Sequence, residues 1–409
     1  MSRTLDLATT LAPDLVALRR RLHQIPEIGL DLPLTQQAVL DALEGLDLEI
    51  TLGTSLSSVV AVLRGTAPVP DAERSVRPAV LLRGDMDALP VTEEVVSDHR
   101  STHDGVMHAC GHDLHMAALV GAAQVLHAMR DELAGDVVFM FQPGEEGPGG
   151  AAPMIDEGLL EASGHRVCAA YTLHVYSAEH PKGTWFGRPG PLMAAADEAV
   201  VRVVGRGGHG ASPHRTLDPI PVACEMVVAL HTMVTRGFDV FDPAVVTVGR
   251  IAGGTKDNII PDDAVFEATV RTLSPESRQR VQERITRLCK GIAEAHGLTA
   301  EVDYRLGYPV TRNDEAEFAH AQGVVADLFG ADRWTPMADP ELGSEDMSFV
   351  LDEVPGAYLN LSACAHDNPA DADDNHSPRA EFDDSVLGDA AAYLAEVALR
   401  RLAAGPATT

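Results

Sequence analysis

The chain is short of positive charge. Its 31 lysines and arginines stand against 61 aspartates and glutamates, a formal net charge of −30. Such a balance argues against nucleic acid or an anionic membrane surface as a partner. Only three lysines occur, Lys182, Lys256 and Lys290, which reads as genome composition rather than mechanism. No apolar run reaches about eighteen residues, so no membrane-spanning helix is expected. The opening MSRTLDLATTLAPDLVALRRRLHQ reads as an amphipathic helix. It lacks the compact apolar stretch and small-residue cleavage site of a secretory signal, so a cytoplasmic location is expected. Five cysteines, Cys110, Cys168, Cys224, Cys289 and Cys364, are an odd number without close pairing. That excludes a disulfide framework and fits a reducing compartment. Four of them lie in apolar or helical surroundings and are expected to pack as small hydrophobes. Cys110 alone has polar, ligand-capable neighbours.

With 409 residues, 45% of them hydrophobic, the chain exceeds one ordinary core, and two domains are expected. Apolar residues recur at helical spacing from about 11 to 47, broken by IPEIG at 25–29. VVAVLRG (59–65) and AVLLRGDMDALP (79–90) read as strands, joined by the Pro-rich, charged surface loop TAPVPDAERSVRP. A helix over about 114–130 follows, then DVVFMFQPGEE, a buried strand ending in a loop, and the strand VCAAYTLHV (167–175). Strands alternating with helices predict an α/β domain with a mostly parallel sheet flanked by helices.

Between about 190 and 305 the order changes. EAVVRVVG is a strand, TLDPIPVACEMVVALHTMV a helix, and AVVTVGRIAG and AVFEATVRTL two more strands. A helix over 275–296 and a strand over 299–306 complete a β-α-β-β-α-β unit of ferredoxin-like type. The expected boundaries are 1–188 and 305–409 for the α/β domain, with 189–304 as an insertion.

The chemistry gathers in a few short stretches. HACGHDLH (108–115) crowds three histidines, a cysteine and Asp113 at the start of an apolar helix. Cys110 and His112 could share one ion from a loop, and thiolate with imidazole suits zinc or a neighbouring divalent metal. A helix cap by Asp113 with packing is the competing reading. His115, one turn in, reads as structural. In Gln142-Pro143-Gly144-Glu145-Glu146-Gly147 two adjacent carboxylates follow a buried strand and need compensating cations unless the loop is simply solvated. One could ligate a metal while the other takes a proton from water, the division of labour hydrolysis needs. His174 ends a strand, where a lone histidine is more often a satisfied core residue. Asp85 and Asp87 share a face in extended geometry and could ligate metal, orient a ligand or hold Arg83. Asp85, Asp87, Glu145, Glu146 and His174 all follow strand-like runs, at the sheet edge where ligands gather in α/β folds. In the insertion, GRGGHGASPH puts His209 among glycines that either admit a ligand or form a plain turn. Asn258 and Arg271 are unremarkable taken singly.

Taken together these segments resemble the M20 metallopeptidase and amidohydrolase family, in its aminoacylase-like branch of hippurate hydrolases and hydrolases of indole-acetyl-amino-acid conjugates. RRRLHQIPEIGL, LRGDMDALPVTEE, GVMHACGHDLHMAALVGAA, FQPGEEGPGGAAPMIDEG, GRGGHGASPH, DNIIPDDAVFEATVRT, EDMSFVLDEVPGAY and NHSPRAEFDDSVL follow in the family's order, nearly end to end. The resemblance implies metal ligation by Cys110, His112, Glu146, His174 and His376. Two divalent ions per subunit (Zn, Mn, Ni or Co) would be bridged by the thiolate. Glu145 would be general base and then acid, with Asp87 in support. The insertion would be a lid and dimerisation domain that presents His209 to the scissile carbonyl and holds a substrate carboxylate with Asn258 and Arg271. A homodimer is implied. Other branches carry H-x-D where this chain has Asp85-Met86-Asp87, so the first histidine ligand is missing, a replacement the cysteine branch shares. Gly144 stands where alanine is commoner. His366 competes with His376 for the last ligand position, and the SPRAEFDDS after His376 decides for the latter. The implied activity is cleavage of N-acyl amino acids to a carboxylic acid and a free amino acid. A dipeptidase or carboxypeptidase and a non-catalytic metal-binding homologue are the alternatives.

Overall fold

The computed structural model describes residues 2–68 and 77–405. Most of the expected surface loop TAPVPDAERSVRP lies outside the described residues. The chain divides into two compact units. One comprises Met1–Gly190, Arg312–Ala338 and Phe349–Thr409, and the other Pro191–Thr311 with Asp339–Ser348.

The first unit is built on an eight-stranded sheet in the order Glu49–Leu52, Val59–Leu63, Asp136–Gln142, Ala79–Asp85, Ala169–Tyr176, Gly356–Ser362, Trp185–Gly187, Trp334–Pro336. The four central strands, Asp136–Gln142 to Gly356–Ser362, run parallel. They are apolar without alternation and buried along nearly their whole length, as strands covered on both faces must be. Antiparallel pairs border them on either side. The expected α/β sheet flanked by helices is therefore present, with a parallel centre and mixed edges. The edge strand Glu49–Leu52 is exposed throughout, so no buried pattern marks it in the sequence.

Helices Arg3–His23, His112–Ala128 and Leu387–Ala403 pack on one another, the last two also on the strand Ala79–Asp85. The middle helix is rich in alanine and buried on almost every side, as a helix hydrophobic all round should be. It begins two residues earlier than expected, at His112. Its cap is Gly111, with no side-chain cap hydrogen bond. Asp113 therefore does not cap. It lies fully buried within the first turn and accepts from His23 Nδ1 at 2.8 Å, with Arg19 Nε also 2.8 Å away.

The second unit is a four-stranded antiparallel sheet in the order Ala244–Gly253, Asp263–Thr272, Ala195–Val204, Thr299–Arg305. Helices Pro219–Gly237 and Pro275–Ala295 supply Val222, Met226, Leu230, Val281 and Ile285 to a core with Ala199, Val201 and Val203. Both helices open on a capping side chain, Asp218 and Ser274, followed by proline, a combination suited to a helix start. This is the ferredoxin-like βαββαβ order. Buried Asp197 ties its layers together, accepting from Arg278 Nη2 (2.6 Å), Tyr304 Oη (3.0 Å) and the Gly307 amide (3.0 Å). A short ribbon, Gly208–His209 against Ile259–Ile260, stands apart from the sheet.

The cysteines depart from expectation in one case. Cys289 and Cys364 are buried and Cys168 partly so, but Cys224 is exposed, because its position in VACEMVV falls on the outward side of the helix.

Candidate active site

Three central strands of the first unit end at Asp85, Gln142 and Tyr176, and the candidate ligands sit at or just beyond those ends. The helix His112–Ala128 starts beside them. Gly111 makes that approach possible: its φ is +84°, and a Cβ there would lie 2.4 Å from Val175 Cγ2. Only glycine accepts both the conformation and the contact.

Cys110 Sγ is the centre of the cluster. His174 Nε2 lies 3.3 Å away and His376 Nε2 3.2 Å, while Glu146 Oε1 is 3.2 Å from His376 Nε2 and 4.0 Å from His112 Nε2. The C-terminal loop reaches this place through Asn375, whose amide donates to Val175 O at 3.0 Å and whose oxygen accepts from the Ser177 amide at 2.9 Å. His376 itself takes φ +70°, a left-handed conformation that costs on the order of 1–3 kcal/mol outside glycine. Its amide donates to Ala109 O at 2.8 Å.

Asp87 organises the rest. Its two carboxylate oxygens accept from the Glu145 and Glu146 amides at 2.9 and 3.0 Å. Its carbonyl oxygen accepts from His112 Nδ1 at 2.8 Å. That bond makes Nδ1 a donor, so the neutral imidazole would offer the Nε2 lone pair to an ion in the cluster.

Charge is concentrated here. Burial opposes ionisation of Asp85, but Arg83, His112 and His115 outweigh it and hold the carboxyl well below the usual range. Burial likewise disfavours a charged His112, yet Asp85, Asp87 and Cys110 raise the imidazole well above its ordinary value. Burial pushes the Cys110 thiol up against the pull of His112 and His376, and pushes His174 well down. Hydrogen bonds to Cys110 and Glu146 push His376 up to about 10. Carboxylates that draw protons onto neighbouring imidazoles mark a place where a divalent cation would take over those protons' role.

The residues fit such an ion on independent grounds. His112 Nε2 is buried with no hydrogen-bond partner among the described residues, a costly state for a polar atom unless something else satisfies it. Soft thiolate, imidazole and carboxylate donors within reach of one another suit zinc and its neighbours. Glu145 is buried beside His112 and Glu146.

The structure thus brings Cys110, His112, Glu145, Glu146, His174, His376 and Asp87 together. His209, Asn258 and Arg271 belong to the second unit. There His209 pairs with Ile259 across the ribbon, and Gly210 N–H donates to Asn258 O at 2.9 Å, so His209 and Asn258 are neighbours. Arg271 lies on the strand Asp263–Thr272, where its Nη1 donates to Thr269 Oγ1 at 2.6 Å. Among the described residues His366 belongs to none of the groups that could hold a metal; its carbonyl accepts from Cys364 Sγ at 3.5 Å. Asn375 escaped the sequence reading, its only signal being its place beside His376 in an acidic loop.

Residues 81–400 match peptidase family M20/M25/M40. The chain is 34% identical over 377 residues to thermostable carboxypeptidase 1 of Saccharolobus solfataricus, covering 91% of each. It is 35% identical over 396 residues to N-acetyl-L-cysteine deacetylase of Bacillus subtilis, covering 96% of this chain and 89% of the relative. A dinuclear metal-binding M20 peptidase from Bacillus subtilis superposes with a TM-score of 0.81 at 31% identity, covering 97% of this chain and 99% of that one. On fold and relatives together, the chain belongs to the M20/M25/M40 peptidase family and is a metal-binding hydrolase of amide bonds.

Proposed function

We propose that this hydrolase cleaves N-acyl amino acids to a carboxylic acid and a free amino acid, using two divalent ions per subunit held by Cys110, His112, Glu146, His174 and His376. The observation that carries the reading is His112 Nε2, buried without a hydrogen-bond partner among the described residues, in reach of Cys110, His174 and Glu146 with Glu145 alongside. Divalent ions there supply Lewis acidity and lower the pKa of water toward neutrality. Glu145 accepts the proton of the attacking water and returns it to the leaving nitrogen. Asp87 holds Glu145 and Glu146 in register through their amides. His209 stabilises the oxyanion, and Arg271 and Asn258 grip the substrate carboxylate, a task suited to a planar guanidinium. The thiolate favours zinc; manganese, nickel and cobalt suit the imidazole and carboxylate donors. Homodimerisation through the inserted domain and a cytoplasmic location belong to the same proposal.

The test is an assay across N-acetyl, N-benzoyl and indole-acyl amino acids and dipeptides, with elemental analysis of the same preparation. Turnover of N-acyl amino acids is expected. Turnover of dipeptides alone would favour a peptidase, the reading supported by the carboxypeptidase relative. Metal-loaded protein indistinguishable from Glu145→Gln on every substrate would make the chain a non-catalytic homologue.

A further inference from the structure

The parallel ladder between strands Ala79–Asp85 and Ala169–Tyr176 pairs Val80 with Ala169 and runs to Arg83 with Thr172, then stops. Beyond it the chain leaves the sheet after Asp85 and carries Asp87 to the Glu145 and Glu146 amides. The Val175 amide lies past the end of that ladder and donates instead to His115 Nε2, at 2.8 Å. A ring nitrogen that accepts an N–H bears no proton, so the proton of His115 is on Nδ1. That nitrogen faces Asp85 Oδ1 at 2.6 Å, and the other Asp85 oxygen accepts from Arg83 Nη1 at 2.5 Å. All three side chains are buried. The helix comes this close because Gly84 has no side chain: a Cβ there would stand 3.0 Å from His115 O. The His115 and His174 rings have centroids 4.7 Å apart.

We propose that His115 is a positioning residue: Asp85 holds it in the Nδ1–H tautomer, and its Nε2 replaces a strand carbonyl for Val175, fixing the backbone that aims His174 at Cys110. Both nitrogens being engaged, His115 gives neither to a metal, although Asp85, His112 and His115 stand close enough together to hold one. The proposal rests on His174 being a metal ligand.

Two substitutions separate the contacts. Glutamine reaches the Nε2 position and keeps an acceptor for Val175; asparagine reaches only the Nδ1 position and keeps a donor for Asp85. In zinc titrations against a competing chelator, His115→Asn should bind one ion roughly 10- to 100-fold more weakly, the effect expected of a residue that orients a ligand. His115→Gln should stay close to wild type, and Val175 amide exchange should accelerate only in His115→Asn. In wild-type protein labelled with 15N-histidine, the His115 signal, assigned by its absence from His115→Gln, should show a protonated Nδ1 and a bare Nε2. A protonated Nε2 overturns the proposal whether or not the variants fold. So does wild-type zinc affinity with unchanged Val175 exchange in His115→Asn. Loss of one ion outright in both variants overturns it by making His115 a ligand. His174→Ala that still binds both ions overturns the metal-site reading and the proposal with it. That failure is recognised because the tautomer and the Val175 exchange remain as expected.

Discussion

His376 Nε2 lies 3.2 Å from Cys110 Sγ although 266 residues separate them. The same sulfur has His174 Nε2 at 3.3 Å on another strand end. One thiol therefore joins a helix start, a central strand and the C-terminal loop, and its removal touches all three.

Cys110→Ser should lower the metal content from two ions per subunit to one or none. A residue that only orients a ligand costs up to about 100-fold in affinity, so a shared ligand should cost at least that. Elemental analysis after dialysis against a weak chelator measures it. Two ions retained at wild-type affinity would remove the thiolate from the site.

Glu145→Gln separates chemistry from binding. Its amide still donates to Asp87, so the loop and Glu146 should stay in place. The kcat should fall by roughly 10²- to 10⁴-fold, the usual worth of a general base, with metal content and KM little changed. A fall in metal content instead would make Glu145 a ligand.

The sheet centre was legible because its strands are uninterrupted apolar runs, and the ferredoxin-like unit because its strands alternate and its helices carry caps. Short edge strands such as Trp334–Pro336 have too few residues to show a period. The candidate ligands were legible as residue types and order. What connects them was not: Asn375 to Val175, His115 to Asp85 and Arg19 beside Asp113 are contacts between distant segments, set by packing. Asp113 shows the limit. As an acidic residue at a helix start it invites the capping reading, yet it faces inward to Arg19 and His23.

Asp197 gives a prediction for the second unit. It is buried and bears Arg278, Tyr304 and the Gly307 amide. Asp197→Ala should destabilise the fold by about 3 kcal/mol or more, because breaking a buried pair strands the remaining charge. Denaturant unfolding followed by a probe within residues 191–311 checks the cost. A change below about 1 kcal/mol, the range of surface pairs, would show the network to be solvated.

Glu157 links two loops at the opposite extreme of burial. It is exposed, yet its carboxylate accepts from the amides and hydroxyls of both Thr54 and Ser55 at 2.7–3.2 Å. The Thr54 hydroxyl bond is the largest influence, and with the others it pulls the carboxyl from its ordinary 4.5 down to about 2. A folded value below the unfolded one means the stabilisation is present above the unfolded value and is lost as pH falls toward the folded one. Wild type should therefore exceed Glu157→Gln in stability by a constant amount above a pH of about 4.5, and the gap should close between there and about 2. Solvent screening keeps that gap small, so it is best read by paired thermal melts carried down in pH to the onset of acid unfolding. A carboxyl titration by NMR gives the same answer directly. A midpoint for Glu157 near 4.5, or a gap that does not change with pH, would mean that the Thr54 and Ser55 bonds contribute nothing in water.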